Sequence, residues 1–396
     1  MSTRTKPRVG PLASRLGTSP HLDVDALLDD PSTHVVVCCG SGGVGKTTTS
    51  AALALRAAER GRKVVVLTID PARRLAQSMG IERLDNVPRP VPGVVGSAGG
   101  SLDAMMLDMK RTFDEVVEAQ ASPEKAQAIL SNPFYVTLSS SFAGTQEYMA
   151  MEKLGQLRQD ARKSGRWDLI VVDTPPARSA LDFLDAPERL SGFLDGRFIR
   201  LVLAPAKGPA RLMTAGVGVV TNTMAKVVGA QVLKDLQMFV AAFDTLFGGF
   251  RNRAQQTYEL LQTKETAFLV VAAPEADALR EAAYFVERLD ADRMPLAGLV
   301  VNRATPALDG LSAEQAVAAA ERLEPASGDG DQDGSRTTAG LLRLHADRAR
   351  RVDREQRMQQ RFQAAHPRVP TVVVPALSTD VHDLDGLREV GRLLAG

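Results

Sequence analysis

Short runs of almost continuously apolar residues recur along the chain and alternate with longer stretches rich in helix-forming residues. The runs are His34–Cys39, Lys63–Ile69, Leu102–Asp108, Trp167–Asp173, Ala267–Ala272, Leu296–Val301 and Val369–Val374. Strands that are apolar on both faces are typical of a parallel sheet covered by helices on each side. The alternation therefore predicts an α/β fold with a doubly wound, mostly parallel sheet.

Two departures from this alternation define the predicted domain organisation. Residues 1–30 are polar and contain Pro, Gly and Ser, which predicts a flexible N-terminal tail with one short helix at Val24–Leu28. Residues 188–266 are unusually apolar and helix-forming, which predicts a helical subdomain inserted into the core. The core is then expected to comprise residues 31–187 and residues 267–396.

The second part of the core contains a hydrophilic segment of low complexity. Residues 324–338 are rich in Gly, Asp and Ser, and such a composition buries too little apolar surface to offset its ordering entropy. We expect a disordered loop there, followed by charged helices from about Thr338 to Ala365. Earlier in the chain, Val87 to Gly100 is rich in Pro and Gly and is also predicted to be a loop.

Composition and charge argue against several classes of partner. The chain of 396 residues carries 48 Lys and Arg against 47 Asp and Glu, so no global basic field attracts nucleic acid or an anionic membrane. Its N-terminus lacks the apolar region of a signal peptide. We therefore expect a cytoplasmic protein that does not bind nucleic acid and is not an integral membrane protein.

The first apolar run leads directly into the most informative motif of the chain. The motif is Gly40-Ser41-Gly42-Gly43-Val44-Gly45-Lys46-Thr47-Thr48, which matches the P-loop pattern G-x-x-x-x-G-K-[ST] and precedes a stretch of helix formers. Glycines let backbone N–H groups point at oxyanions, and a helix N-terminus adds partial positive charge. We expect Lys46 to reach the β- and γ-phosphates of a nucleotide and the Thr47 hydroxyl to bind Mg²⁺.

Three polar residues stand where apolar strands are predicted to end. Asp70 follows the second run, Asp173 closes the fourth and Asn302 closes the sixth. Each could be an ordinary strand-end cap, since Asp and Asn are favoured in turns. Ligands of open α/β sheets bind at the carboxyl ends of the strands. In a chain that also contains a P-loop, the three residues together are better interpreted as parts of one site.

Four motifs in combination resemble the ArsA-like ATPase family. They are GSGGVGKTT at the glycine loop, DPARR beginning at Asp70, DTPPARSALDFL beginning at Asp173 and VVN ending at Asn302. This family includes the arsenite-pump ATPase and the tail-anchored-protein targeting ATPase. The resemblance covers about residues 33–396, apart from the 324–338 loop. It implies a P-loop fold, ATP and Mg²⁺ as cofactors, ATP hydrolysis and assembly into a dimer.

The resemblance also implies a role for each matching residue around the phosphates. Gly42 to Thr47 would hold the phosphates, with Thr47 coordinating Mg²⁺ directly and Asp173 doing so through water. Asp70 would head the first switch and orient or polarise the attacking water. Asp70 and Lys46 are therefore the expected catalytic residues.

Other matching residues are implied at the base and at the second switch. Asn302 would hydrogen-bond the adenine edge, and the turn Pro375-Ala376-Leu377 would pack against the base. The segment Asp173 to Ala180 would be the second switch, which reports the γ-phosphate to the helical region.

The chain departs from the family at the second position of the glycine loop. The family usually has lysine there, and this chain has Ser41. In the family that lysine reaches the phosphates of the opposite subunit and acts like an arginine finger. Either Arg73 or Arg74 substitutes for it, or a paralogous partner supplies the lysine, or the protein is a slow ATPase that uses only Lys46. The expected assembly is a homodimer or a heterodimer with a paralogous ATPase.

The apolar segment before the fifth strand leaves two interpretations open. Leu212 to Leu233 carries a single charge, at Lys226, and apolar residues recur at roughly helical spacing from Leu236 to Phe247. Such a pattern fits helices packed on the core. It also fits a Met- and Phe-lined groove for a hydrophobic helical client or partner.

The leading functional prediction is a Mg²⁺-dependent ATPase that switches a dimer between open and closed states. The alternative is an ATP-binding regulatory partner of a paralogous active ATPase with little hydrolysis of its own, and Ser41 favours it. A DNA-binding ATPase of the plasmid-partition type is disfavoured by the even charge balance and by the long helical segment.

Overall fold

A single sheet with flanking helices organises the protein, as seen in a computed structural model. The structure describes residues 20–70, 74–94, 99–133, 135–136, 139, 145–175, 249, 252–308, 310–323 and 332–396. The strands are β1 (Val35–Gly40), β2 (Lys63–Thr68), β3 (Arg89–Pro90), β4 (Ser101–Met106), β5 (Leu169–Asp173), β6 (Thr266–Ala272), β7 (Leu296–Ala304) and β8 (Thr371–Pro375). Their order is β3-β4-β2-β5-β1-β6-β7-β8, and every neighbouring pair is parallel except β3 with β4.

The helices cover this sheet along most of its width. They are α1 (Val24–Asp29), α2 (Lys46–Glu59), α3 (Arg74–Ser78), α4 (Met109–Gln120), α5 (Pro123–Leu130), α6 (Thr145–Ser164), α7 (Ala276–Ala291), α8 (Ala313–Leu323), α9 (Gln332–Ala365) and α10 (Leu384–Ala395). Helix α2 packs against β1, β2, β4 and β5, whereas α7 packs against β1, β6 and β7. The predicted α/β fold with a mostly parallel sheet is confirmed.

The central strands are buried along their whole length because their residues are apolar on both faces. Every residue of β1, β5 and β6 is buried, as continuous β-branched runs require. Strand β1 lies between β5 and β6 at the centre of the sheet. Since parallel strands all point the same way, the residues that follow β1, β2, β5, β7 and β8 meet at one edge of the sheet.

The sequence pattern does not predict strand β3. Strand β3 lies inside the stretch Val87 to Gly100, which was predicted to be loop throughout. It contributes only Arg89 and Pro90, both exposed, to an antiparallel edge of the sheet. A pair of residues is too short to show a strand period, and proline is tolerated only where an edge N–H needs no partner.

From residue 20 onward the predicted flexible tail is ordered, whereas the short helix predicted within it is confirmed as α1. Leu22 donates its N–H to Thr371 O at 3.2 Å, so the chain pairs beside β8. Helix α1 then packs through buried residues at its first and fifth positions. Asp25 accepts two hydrogen bonds from Arg56 at 2.6 and 2.7 Å, which fastens α1 to α2. Contacts more than 25 residues away decide this order, and local composition does not reveal them.

The predicted disordered loop at 324–338 is also too long. Residues 324–331 lie outside the described part of the chain, but α9 begins at Gln332 and runs for 34 residues. Thr338 donates its hydroxyl to Gly334 O at 2.8 Å within the first turns. Ala339 is already buried, and α8 and α9 share a small apolar cluster with Ala313, Ala316 and Ala346 at its centre. Packing against α8 therefore extends the helix into a sequence that looks hydrophilic.

The predicted helical subdomain falls mostly outside the described residues. Residues 176–248 lie there, including the stretch from Leu212 to Phe247, and residues 252–261 are helical. Among the helices that the structure describes, none combines the length and the apolar character needed to cross a membrane.

Candidate nucleotide site

The glycine loop joins β1 to α2 in a backbone conformation that only glycine adopts easily. Gly43 and Gly45 have φ angles of 78° and 93°, and Gly45 is the residue that caps the N-terminus of α2. A Cβ atom at Gly45 would lie 2.2 Å from Asn302 Nδ2, and one at Gly40 would lie 2.0 Å from Val271 O. Both contacts are far too short, so the loop needs glycine for its turn and for the close approach of its neighbours.

Lys46 is held inside the curve of this loop. Its Nζ donates to the carbonyl oxygen of Ser41 at 2.8 Å, and the side chain is buried. Burial lowers the pKa of the Lys46 ammonium, while the carboxylate of Asp173 acts in the opposite direction. The acceptor of its hydrogen bond in the described part of the chain is a neutral oxygen, so this buried cation is poised to gain from a phosphate that enters the loop.

Asp173 lies between two threonine hydroxyls at the end of β5. Thr47 Oγ1 and Thr68 Oγ1 each donate to Asp173 Oδ2 at 2.8 Å. The carboxylate is fully buried, and burial raises its pKa to about 6. Among the described residues, Asp173 Oδ1 has no hydrogen-bond partner. A buried carboxylate oxygen without a donor, beside a P-loop threonine, fits the oxygen ligands that Mg²⁺ prefers.

Asp70 stands beside this group at the end of β2. Its backbone N–H donates to Thr68 Oγ1 at 3.2 Å, so the same hydroxyl contacts both Asp70 and Asp173. On the other side, Thr174 donates its hydroxyl to Cys38 O at 2.8 Å, which holds the start of the predicted second switch against β1. The remaining residues of that switch, 176–180, lie outside the described part of the chain.

Two adjoining cavities follow the loop. The larger, of about 780 Å³, is lined by the loop and α2 together with Asp70, Arg74, Thr174 and Arg303. The smaller, of about 290 Å³, is lined by Asn302, Pro375, Ala376, Leu377, Val390 and Thr48, among others. Thr48, Arg303, Asp380 and Val381 line both. The structure thus places the residues predicted for the phosphates and those predicted for the base in two adjacent cavities.

Asn302 contacts the loop directly. Its Nδ2 donates to Val44 O at 2.8 Å, and the side chain is buried. This bond uses one of the two amide hydrogens and leaves the carbonyl oxygen of the side chain for another partner. The Nδ2 contact also fixes the distance between β7 and the loop.

A third cavity, of about 530 Å³, lies on the side of the loop where Ser41 stands. It is lined by Ser41, Gly42 and Gly43 and by acidic residues that include Glu275, Glu281 and Glu355. Glu355, on α9, is buried and accepts from both the N–H and the hydroxyl of Thr305 at 2.7 Å. The long helix α9 is therefore joined to the chain three residues after Asn302.

Two residues of the site were not singled out from the sequence. Thr68 was hidden inside an apolar run, although a hydroxyl near the end of a buried strand is itself a signal of a polar contact. Arg303 follows Asn302 and donates Nη1 to Gly43 O at 2.9 Å. Arg303 and Gly43 are 260 residues apart in the sequence, so no local pattern predicts this contact. Of the two arginines proposed to replace the missing lysine, Arg74 lines the larger cavity, and Arg73 lies outside the described residues.

The two adjacent cysteines are packing residues of β1. Cys38 and Cys39 are buried, and burial raises the pKa of each thiol to about 12. Cys39 donates its S–H to Leu269 O at 3.6 Å. Protonated, enclosed thiols of this kind are poor nucleophiles and poor metal ligands.

Replacing Thr68 with valine should lower the free energy of unfolding by about 1–3 kcal/mol. Valine keeps the shape of the side chain but lacks the hydroxyl. The variant therefore loses the hydrogen bond to the buried Asp173 carboxylate and the acceptor of the Asp70 N–H. Urea unfolding measures the difference in free energy of unfolding. Thr68→Ser retains the hydroxyl and should lose less stability. A valine variant as stable as the serine variant would contradict the importance of this hydrogen bond.

Comparison with known proteins gives independent information on the family of the chain. The profile of the ArsA ATPase family, described as anion-transporting ATPases, matches residues 33–315. The chain is 32% identical to the ATPase GET3 of Malassezia globosa over 164 residues, which are 41% of this chain and 45% of that protein. It is 25% identical to the ATPase BagA of Mycobacterium tuberculosis over 378 residues, which are 91% of this chain and 92% of that protein.

The arsenical pump-driving ATPase of Acidiphilium multivorum is also similar, at 30% identity over 158 residues, which are 39% of this chain and 26% of that protein. The matches to GET3 and to the arsenical pump protein therefore cover less than half of either relative, whereas the match to BagA extends over most of both chains. Because the family profile spans more than half of the sequence and includes the glycine loop, Asp70, Asp173 and Asn302, the chain belongs to the ArsA family of anion-transporting ATPases.

Proposed function

We propose that this protein is a Mg²⁺-dependent ATPase that uses hydrolysis to switch a dimer between open and closed states. The observation that carries the proposal is the group formed by Thr47, Asp173 and Thr68 beside the P-loop. Two hydroxyls converge on one oxygen of a buried carboxylate and leave its other oxygen without a donor among the described residues. We interpret this group as a cation site next to the phosphate-binding loop. A buried carboxylate oxygen without a partner lowers the stability of the fold, and a bound cation or its water would offset that cost.

Each residue of the site has a defined task in this proposal. The loop N–H groups from Gly42 to Thr47 and the Lys46 ammonium bind the phosphates. Bound Mg²⁺ would be held by Thr47 directly and by Asp173 through water, and it would neutralise charge on the β- and γ-phosphates. Asp70 orients the attacking water. Phosphoryl transfer needs mainly positioning and charge neutralisation, so these few groups are sufficient.

The smaller cavity supports adenine as the base. Asn302 presents a carbonyl oxygen that could accept from the exocyclic amine of adenine, while its amide nitrogen remains on Val44 O. Pro375 and Ala376 provide an apolar wall of the same cavity. The proposed order along the site is thus base, Thr48, and then the phosphates in the loop.

Partners and location are proposed from the sequence and from family membership. We place the protein in the cytoplasm, as a homodimer or as a heterodimer with a paralogous ATPase, without a role in nucleic-acid binding. The apolar pattern from Leu212 to Phe247 supports handling of a hydrophobic helical client. A hydrophobic helix peptide that fails to bind in any nucleotide state would contradict that last element alone.

A regulatory role is the second candidate, and Ser41 is the observation that favours it. A serine at this position offers a hydroxyl where the family's lysine offers a cation. Such a protein would bind ATP, hydrolyse little of it and act through a paralogous active ATPase.

Turnover should separate these two candidates. We expect slow ATP hydrolysis by the wild-type chain and faster hydrolysis by Ser41→Lys, because a lysine there adds positive charge at the phosphates of the opposite subunit. Steady-state turnover measured at several protein concentrations gives the comparison, since activation across a dimer rises with concentration. Fast, concentration-independent turnover of the wild type would rule out activation in trans. No turnover by either form, with ATP bound by both, would support the regulatory role.

A further inference from the structure

Arg303 has an unusual backbone conformation at the end of β7. Its φ angle is 60°, and within the described residues Arg293 is the other non-glycine residue with a positive φ. A left-handed conformation is unfavourable for a residue with a Cβ atom. The pairing of β7 with β8 shifts register between Val301 and Ala304, on either side of Arg303. Irregularities of this kind redirect a side chain near functional sites.

The redirected side chain lies across the glycine loop. Arg303 Nη1 donates to Gly43 O at 2.9 Å, and Arg303 Nε is 4.0 Å from the position that a Cβ atom at Gly45 would occupy. Arg303 lines the larger cavity, the smaller cavity and the cavity beside Ser41. The guanidinium group is therefore located where the three spaces around the loop meet.

The positive charge of Arg303 is not committed to a carboxylate in the described part of the chain. Its hydrogen bond goes to a neutral carbonyl oxygen, and the residue is exposed. A guanidinium group has five N–H donors in a fixed plane, so one of them can remain on Gly43 while others face an oxyanion. Hydrogen bonds from a cation to phosphate are roughly twice as strong as those between neutral groups.

We propose that Arg303 supplies, from within the same chain, a second phosphate-binding cation beside Lys46. It does so at the loop in which Ser41 replaces the family's lysine. The ligand class is the polyphosphate of a nucleoside triphosphate, and the role is binding and positioning. This inference rests on the proposed ATP site. It assigns to that site a cation other than Arg73 and Arg74, the two arginines that the sequence suggested as replacements for the lysine.

Two substitutions separate the charge of Arg303 from its backbone conformation. Asparagine tolerates the left-handed region but carries no charge, whereas lysine keeps the charge and is as poorly suited to that region as arginine. If charge matters, Mg²⁺-ATP should bind most tightly to the wild type, less tightly to Arg303→Lys and least tightly to Arg303→Asn. We expect the dissociation constant of Arg303→Asn to rise at least about tenfold.

Arg293→Asn is the matched control, because Arg293 also has a positive φ, of 57°. It directly follows Asp292, the residue that caps the C-terminus of α7. Its affinity for ATP should equal that of the wild type. Isothermal titration calorimetry with Mg²⁺-ATP measures all four proteins. Arg303→Asn binding within twofold of the wild type, or more tightly than Arg303→Lys, would overturn the inference and leave the ATP site intact. A wild type that binds no ATP would instead overturn the proposed function itself.

Discussion

Lys46→Ala is expected to abolish measurable binding of Mg²⁺-ATP, with an affinity at least about 100-fold below that of the wild type. The ammonium group is buried inside the loop and donates to Ser41 O at 2.8 Å. Desolvation already lowers its pKa, so the free protein bears the cost of this charge before any ligand arrives. A phosphate in the loop would compensate for the desolvation of the Lys46 ammonium. Alanine removes both the desolvation cost and the attraction to phosphate.

Calorimetry on the variant and on Lys110→Ala provides the measurement. Lys110 is an exposed lysine that pairs with Asp114 on α4 and takes no part in the site, so its replacement should leave the affinity unchanged. The same samples should be unfolded in urea, because loss of a buried charge should leave Lys46→Ala no less stable than the wild type. Equal ATP affinity in Lys46→Ala and the wild type would refute the assignment of the phosphate site.

Asp70→Asn is expected to retain ATP affinity within a few-fold and to lower kcat by about 100-fold or more. The change preserves size and removes the carboxylate that we propose orients and polarises the attacking water. The backbone N–H of Asp70 donates to Thr68 Oγ1, and asparagine can keep this bond. The loss should therefore appear in kcat while nucleotide binding and the free energy of unfolding stay close to those of the wild type.

Single-turnover hydrolysis of Mg²⁺-ATP at saturating protein isolates the chemical step. Asp385→Asn is a suitable comparison, because Asp385 is an exposed carboxylate on α10 that pairs with Arg388. Its rate should match the wild type. A rate for Asp70→Asn within about twofold of the wild type would show that Asp70 does not take part in the reaction.

The parts of this site that the sequence predicted are those encoded by consecutive residues. The glycine loop and the lysine and threonine after it are recognisable from a few consecutive residues. The apolar run that ends in Asp173 likewise predicts that this carboxylate lies at the edge of a sheet. The parallel sheet then brings Asp70, Asp173 and Asn302 together without further information, because strands of one direction end at one edge.

The parts that the sequence did not predict depend on contacts between distant residues. The bond from Arg303 to Gly43 needs a left-handed residue and a shift of strand register, and neither has a signature in the local composition. The order of residues 20–30 depends on Arg56 and on pairing beside β8, and the start of α9 depends on its packing against α8. In each case a polar local sequence is ordered by a partner elsewhere in the chain.

The bonds between Glu355 and Thr305 tie helix α9 to the turn after β7, beside the proposed nucleotide site. A straight helix rises 1.5 Å per residue, so the segment from Gln332 to Glu355 is about 35 Å long. If α8 and α9, which pack together, turned as one unit by about 10° about these bonds, Gln332 would move by about 6 Å over that length. A small displacement at the turn after β7 would thus be passed to the α8–α9 pair, including Leu341 and Leu344, which are exposed partway along α9.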